Sequence, residues 1–220
     1  MTVQAPLFCL EARSCCVFYS KAGCLFSKLC VTLLKILCDM EFIEQYIKGV
    51  WLIKPKRFGD ERGYFCETFK KEEFESHVGK IDFVQDNESL SSYGVLRGLH
   101  FQEGVWSQAK LVRVSQGRVL DVAVDLRGDS PTFGQHVAVE LDAAQGMQFF
   151  IPRGFAHGFV VLSEVAQFQY KVDNVYAPQS EVTLKFNDPA LAINWLLPQS
   201  ELLLSEKDKR GVELKNIKPF

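Results

Sequence analysis

The sequence predicts an all-β fold, a jelly-roll sandwich or barrel with short peripheral helices. Two observations carry this. From Met40 onward the chain falls into short apolar or alternating stretches split by turn residues, the pattern of many short strands. The second is Gly146-Met-Gln-Phe-Phe-Ile-Pro152-Arg-Gly154-Phe-Ala-His157-Gly-Phe. There a glycine turn leads into an apolar strand, Pro152 and Gly154 fix a second turn, and His157 opens the next strand.

The elements follow in order. Val50-Trp-Leu-Ile-Lys-Pro reads as a strand, residues 58–63 as a loop, and Tyr64-Phe-Cys-Glu67-Thr-Phe as a second strand. Lys70-Lys-Glu-Glu-Phe-Glu-Ser-His77 is an acidic, helix-like run that leaves His77 on the surface. Lys110-Leu-Val-Arg-Val-Ser and Arg118-Val-Leu-Asp-Val-Ala-Val-Asp-Leu alternate or run apolar, as strands of a packed sandwich do. Gln116-Gly117 punctuates that pair, and Arg127-Gly-Asp-Ser-Pro131 is a turn. Gln135-His136-Val-Ala-Val-Glu-Leu, Gly158-Phe-Val-Val-Leu and Ala166-Gln-Phe-Gln-Tyr170-Lys-Val complete the strands. The charged tail Leu203-Leu-Ser-Glu-Lys207-Asp208 is placed to cap a barrel mouth.

The pattern around His157 is similar to the second half-signature of the cupin β-barrels, most of which use that histidine to hold a metal. The first half-signature normally carries H-x-H and then a glutamate. Here the matching stretch, Gly94-Val-Leu-Arg97-Gly-Leu-His100-Phe-Gln102, has a single histidine. The chain holds only four, at positions 77, 100, 136 and 157. A metal site needs three or four converging ligands, so none is expected, and no cofactor.

At 220 residues the chain suffices for one domain with a full core. A net charge of −2 with no basic stripe gives nucleic-acid binding no electrostatic support. Six of seven cysteines precede Met40, whereas a disulfide scaffold would spread them through the fold. Charges interrupt that leader, and its best apolar run (residues 29–38) contains Lys35 and is too short to span a bilayer. Residues 1–39 are therefore expected to be an extension outside the fold, with Met40 as the true start and 40–220 as the single domain. No membrane association is expected.

Arg97, Lys110, Arg113 and Arg118 are cations on or beside strands that otherwise read as buried. A buried charge is costly unless paired. Each fits a structural salt bridge; together with two histidines they also fit a cavity for an anionic ligand, phosphate being the natural candidate. Tyr170 shares the apolar face of its strand with Phe168 and Val172, as a core tyrosine or as a proton donor inside the barrel. Asp208 is either exposed tail or a carboxylate that folds over to orient a histidine.

Residues 50–209 resemble the dTDP-4-dehydrorhamnose 3,5-epimerase family, metal-free cupin-fold sugar-nucleotide enzymes. The motifs, in order, are Phe58-Gly-Asp-Glu-Arg62-Gly-Tyr-Phe-Cys-Glu67, Phe83-Val-Gln85-Asp86-Asn87, Gly94 to Gln102, Gln108-Ala-Lys110-Leu-Val-Arg, Asp121-Val-Ala-Val-Asp-Leu-Arg and Ser130-Pro-Thr-Phe-Gly. Ile151-Pro-Arg-Gly-Phe-Ala-His157-Gly-Phe, Tyr170-Lys, Tyr176-Ala-Pro and Leu204-Ser-Glu-Lys207-Asp208 follow. Phe101 stands where a tyrosine is common, and the leader has no place in the pattern.

The resemblance implies epimerisation at C3 and C5 of dTDP-4-dehydro-6-deoxy-D-glucose, giving dTDP-4-dehydro-L-rhamnose. The C4 ketone acidifies both protons, so each leaves through an enolate without redox chemistry. This needs a base on one face, a charge stabiliser at the C4 oxygen and an acid on the other face. By resemblance His100 is the base, oriented by Asp208; Lys110 stabilises the enolate; Tyr170 is the acid. Arg62, Glu67, Gln85, Asp86, Asn87, Arg97, His157, Glu181 and Lys207 line the nucleotide-sugar site, and Tyr176 stacks on base or sugar. A cytoplasmic homodimer is implied, pairing through the strand at Val50-Trp51-Leu52 or the region Phe65-Cys66-Glu67. An epimerase acting at one carbon only, or on another nucleoside-diphosphate 4-keto sugar, fits the same motifs. A non-catalytic sugar-nucleotide-binding protein would not need both His100 and Tyr170.

Overall fold

The structure, a computed structural model, describes residues 40–220. The expectation for residues 1–39 lies outside the described residues. Thirteen strands and two short helices follow in order: β1 (Glu41–Glu44), β2 (Trp51–Lys54), β3 (Arg57–Asp60), β4 (Gly63–Cys66), α1 (Lys71–His77), β5 (Gln85–Ser92), β6 (Leu96–Gln102), β7 (Lys110–Gln116), β8 (Arg118–Asp125), β9 (His136–Asp142), β10 (Gln148–Ile151), β11 (Phe155–Val161), β12 (Val165–Val172), β13 (Glu181–Thr183) and α2 (Glu206–Lys209).

They form a six-stranded sheet, β1-β2-β10-β7-β12-β5, and a five-stranded sheet, β13-β6-β11-β8-β9, with β3-β4 as a separate hairpin. All named pairings are antiparallel. This is the jelly roll of the cupins. Period-2 alternation turns one face of each sheet inward. Val112, Phe149, Ile151 and Phe168 from the larger sheet meet Ala123, Val137, Phe155 and Phe159 from the smaller. Burying each of the larger of these side chains contributes about 1.5–3 kcal/mol.

The outer faces are covered too. Leu120, Val122, Val124 and Val160 pack beneath Leu184, Phe186, Trp195 and Ile217 of the C-terminal segment. Strand β8 is therefore buried on both faces, which is why its sequence runs apolar instead of alternating. On the other side, Phe74 of α1 packs on Ile53, Leu111 and Phe150. His77, at the exposed end of α1, stacks on Phe42 with ring centroids 4.2 Å apart.

Two local expectations change. Residues 58–63 are not a plain loop but most of a hairpin, paired from Arg57↔Cys66 to Asp60↔Gly63. The Asp60 carboxylate accepts the Arg62 backbone N–H at 2.9 Å, and Gly63 takes φ +129°, which together close the tight turn. The strand expected over residues 64–69 accordingly ends at Cys66. Strand β5 was hidden by composition: Gln-Asp-Asn-Glu-Ser-Leu-Ser-Ser is polar on both faces, as suits an edge strand that pairs only with β12. Among the described residues no helix is long and apolar enough to cross a membrane.

Candidate active site

The site lies between the two sheets, at the end where β6 and β11 carry polar side chains inward. Gly98 makes that arrangement possible. It has φ +126°, and a Cβ there would sit 2.5 Å from the Cα of Gly158. The close crossing, with a register shift in β11 between His157 and Phe159, sets His157 directly opposite His100.

Each imidazole is held by a carboxylate. His100 Nε2 lies 2.6 Å from Asp208 Oδ1, a contact across 108 residues of sequence. His157 Nε2 lies 2.9 and 3.1 Å from the two oxygens of Asp121, a fully buried side chain. Burial pushes the His157 pKa down against the opposing pull of Asp121. Burial alone would raise the Asp208 pKa, but hydrogen bonds from His100 and Ser205 hold it below the ordinary carboxylate value.

The opposite sheet supplies Lys110 from β7 and Tyr170 from β12. Lys110 is buried, with Nζ 3.5 Å from the carbonyl oxygen of His100. Desolvation lowers its pKa to about 8, partly offset by the charges of Asp121 and Glu181. Burial raises the Tyr170 pKa, with Arg97 opposing. His100, Lys110, His157, Tyr170, Arg97, Lys207 and Asp208 all line one cavity of about 520 Å³, floored by Phe159 and Phe168. The tail expected to cap the barrel contributes Leu203 to Ser205, Lys207 and Asp208 to its wall.

Other candidates stand at the rim or beyond it. Glu181 pairs with Lys207 Nζ at 2.7 Å and accepts the Tyr176 hydroxyl at 2.8 Å. Those two bonds keep Glu181 acidic despite partial burial. Arg97 Nε donates to Ser91 Oγ at 3.1 Å and has no carboxylate partner among the described residues. Gln85 Nε2 donates to Asn87 Oδ1 at 2.7 Å. Asp86 and Asn87 line a second, smaller cavity of about 320 Å³, which shares Tyr170 and Glu88 with the first. Arg62 and Glu67 are exposed, at the tip and just beyond the base of the β3–β4 hairpin; within this chain they do not reach the cavity.

Of the four strand cations, only Arg97 and Lys110 face the site. Arg113 donates to Gln169 in the smaller cavity, and Arg118 is an exposed partner of Glu140 at 3.6 Å. Sequence reasoning gave no role to Asp121, although a carboxylate inside Val-Leu-Asp-Val-Ala-Val demands a buried partner. Ser205 was also passed over. Among the described residues no group of three His, Cys, Asp or Glu side chains is placed to hold a metal ion.

A family model described as dTDP-4-dehydrorhamnose 3,5-epimerase matches residues 44–216. The chain belongs to that family. It is 53% identical over 171 residues to the dTDP-4-dehydrorhamnose 3,5-epimerase of Salmonella typhimurium, covering 77% of this chain and 92% of the relative. The crystal structure of the Elizabethkingia anophelis NUHP1 enzyme of the same name superposes with a TM-score of 0.78 at 52% identity, covering 80% of this chain and 97% of that one. A dTDP-6-deoxy-D-glucose-3,5-epimerase from Legionella pneumophila, solved in complex with dTDP-4-keto-L-rhamnose, superposes at 0.78 with 48% identity, covering 81% and 95%. This epimerase is thus an isomerase of deoxysugar nucleotides on a cupin jelly roll.

Proposed function

We propose that this epimerase inverts C3 and C5 of dTDP-4-dehydro-6-deoxy-D-glucose, with His100 as base, Asp208 as its orienting carboxylate, Lys110 as enolate stabiliser and Tyr170 as acid. The observation that carries the reading is the division of labour between sheets. The His100–Asp208 pair belongs to the wall formed by β6 and α2, whereas Lys110 and Tyr170 come from the facing sheet. A sugar ring between them meets a base on one face and an acid on the other. C3 and C5 both flank the C4 ketone, so one base serves both carbons in turn.

The electrostatics fit these roles. A Lys110 pKa of about 8 leaves the ammonium charged at pH 7, yet dehydrated enough to interact strongly with a developing oxyanion. Tyr170, with its raised pKa, holds its proton until the enolate takes it. Arg97 and Lys207 give the diphosphate two cations at the cavity wall. The ligand bound to the Legionella relative supports a dTDP-linked 4-keto sugar. A cytoplasmic location accords with a nucleotide-sugar substrate.

We also infer a homodimer. The hairpin exposes Phe58, Tyr64 and Phe65 at 43, 63 and 65% of their surface, beside Arg62. A second copy would cover these rings, and it is the route by which Arg62 and Glu67 reach a nucleotide-sugar site.

Solvent deuterium incorporation at C3 and C5 tests the roles. His100→Ala abolishes exchange at both carbons. Tyr170→Phe retains exchange, because His100 returns deuterium to the original face, but loses net epimerisation by about 10²–10⁴-fold. Equal loss of exchange in both variants would overturn the assignment of faces.

A further inference from the structure

We propose that Ser205 is a positioning residue for the catalytic pair, its hydroxyl fixing the plane of the Asp208 carboxylate so that one oxygen always faces His100. The proposal rests on His100 being the base.

The geometry comes from a helix cap put to a second use. Ser205 is the N-cap of α2, and its Oγ accepts the backbone N–H of Asp208 at 3.2 Å. A hydroxyl has one proton, and with a lone pair engaged that proton must point elsewhere. It points at Asp208 Oδ2, 2.6 Å away. In an ordinary capping box the acidic side chain three residues on reaches back to the cap's backbone N–H. Here Asp208 takes the cap hydroxyl on Oδ2 and gives Oδ1 to His100 Nε2 at 2.6 Å. Both oxygens are committed, so the carboxylate cannot turn about its Cβ–Cγ bond without losing a bond. Because Oδ1 accepts, Nε2 carries the imidazole proton, and the other ring nitrogen keeps the lone pair a base requires.

A role through the carboxylate differs from a role through the helix. α2 also carries Lys207, which lines the cavity and pairs with Glu181. If Ser205 only held the helix, its loss would displace Lys207 and raise KM. If it holds the carboxylate, KM stays and kcat falls. Glycine is tolerated at N-caps, so Ser205→Gly removes the hydroxyl while sparing the helix entry.

The experiment compares wild type, Ser205→Gly, Ser205→Thr and His100→Ala for kcat, KM, deuterium exchange and thermal midpoint. Ser205→Gly is expected to lose kcat and exchange together by roughly 10–100-fold, the scale of misplacing a catalytic group. Its KM and thermal midpoint stay at wild-type values, and Ser205→Thr restores turnover. Wild-type kcat in Ser205→Gly, a loss confined to KM, or no rescue by threonine would overturn the proposal. Exchange surviving in His100→Ala would remove the base assignment itself, and the proposal with it. Full loss in His100→Ala beside wild-type Ser205→Gly would sink the proposal alone.

Discussion

In the proposed mechanism Lys110 is a single residue that trades stability for chemistry. Its pKa falls from an ordinary 10.5 to about 8 because burial strips the ammonium of water. The unfolded chain therefore binds this proton more tightly than the folded one. Between about pH 8 and 10.5 the unfolded state holds more protons, so this group makes stability rise with pH there, and below 8 its full cost is present. Activity runs the other way, since the enolate needs the charged form; turnover is expected to fall as pH climbs through about 8. Lys110→Met separates the two effects. Replacing the buried cation by an apolar side chain of similar length should stabilise the protein by about 1–3 kcal/mol at pH 7. The same change should cost about 10²–10³-fold in turnover. Thermal melts at pH 7 and pH 10 check this: the variant's advantage should shrink at the higher pH. A Met variant less stable than wild type at pH 7 would show that Asp121 and Glu181 need the cation more than the cation needs water. That Lys110 faces a cavity was one of two readings open for a cation inside an apolar strand, and its proposed role came from the resemblance. The pairing of His100 with Asp208 was legible only as one of two readings of the tail, because 108 residues separate them and only the resemblance named the histidine.

The strands show where sequence pattern succeeds and where polarity defeats it. Alternation exposed β12, and an unbroken apolar run exposed β8, each for the reason its packing supplies. Strand β5 went unseen because nothing apolar marks its inward face, and the hairpin because its turn is closed by an aspartate side chain. The turn after β8 was legible, but its clamp was not. Asp125 is fully buried and accepts from Arg127 Nε at 2.8 Å, Ser130 Oγ at 2.6 Å and Thr132 Oγ1 at 2.7 Å. Burial pulls its pKa up, yet these bonds outweigh it and take the value down to about 2. The folded carboxylate is thus more acidic than the unfolded one. Its contribution is complete above about pH 4 and disappears as pH falls toward 2. Asp125→Asn should cost about 2–4 kcal/mol at pH 7, since Arg127 then loses its charge partner. Urea midpoints of the two proteins should converge as pH drops through that window. A gap that persists unchanged at pH 2 would mean the loop is held by shape and not by this charge.

At the scale of the whole molecule, the β3–β4 hairpin is the part that a single chain leaves unexplained. It is tied down at one end, where Arg57 Nη2 donates to the carbonyl of Ala143 at 2.6 Å and the guanidinium lies 4.3 Å from the Tyr64 ring centre. Its far end projects exposed rings and Arg62, whose partner is its own neighbour Asp60 at 2.5 Å. An exposed pair of this kind contributes little to stability, so Arg62 is not kept in place for the hairpin's sake. If the hairpin of one copy enters the site of another, Arg62 binds diphosphate there, and its loss should appear in substrate binding. Arg62→Ala is then expected to raise KM by about tenfold, the worth of one charged hydrogen bond, with the thermal midpoint unchanged. Mixing makes the test specific. Arg62→Ala should be combined with His100→Ala in one preparation, after unfolding and refolding both chains together. In a dimer with exchanged hairpins, some mixed molecules carry one site with both His100 and Arg62 intact, and wild-type KM returns for that fraction. Monomeric sedimentation at micromolar concentration, or no low-KM activity in the mixture, would confine Arg62 to its own surface.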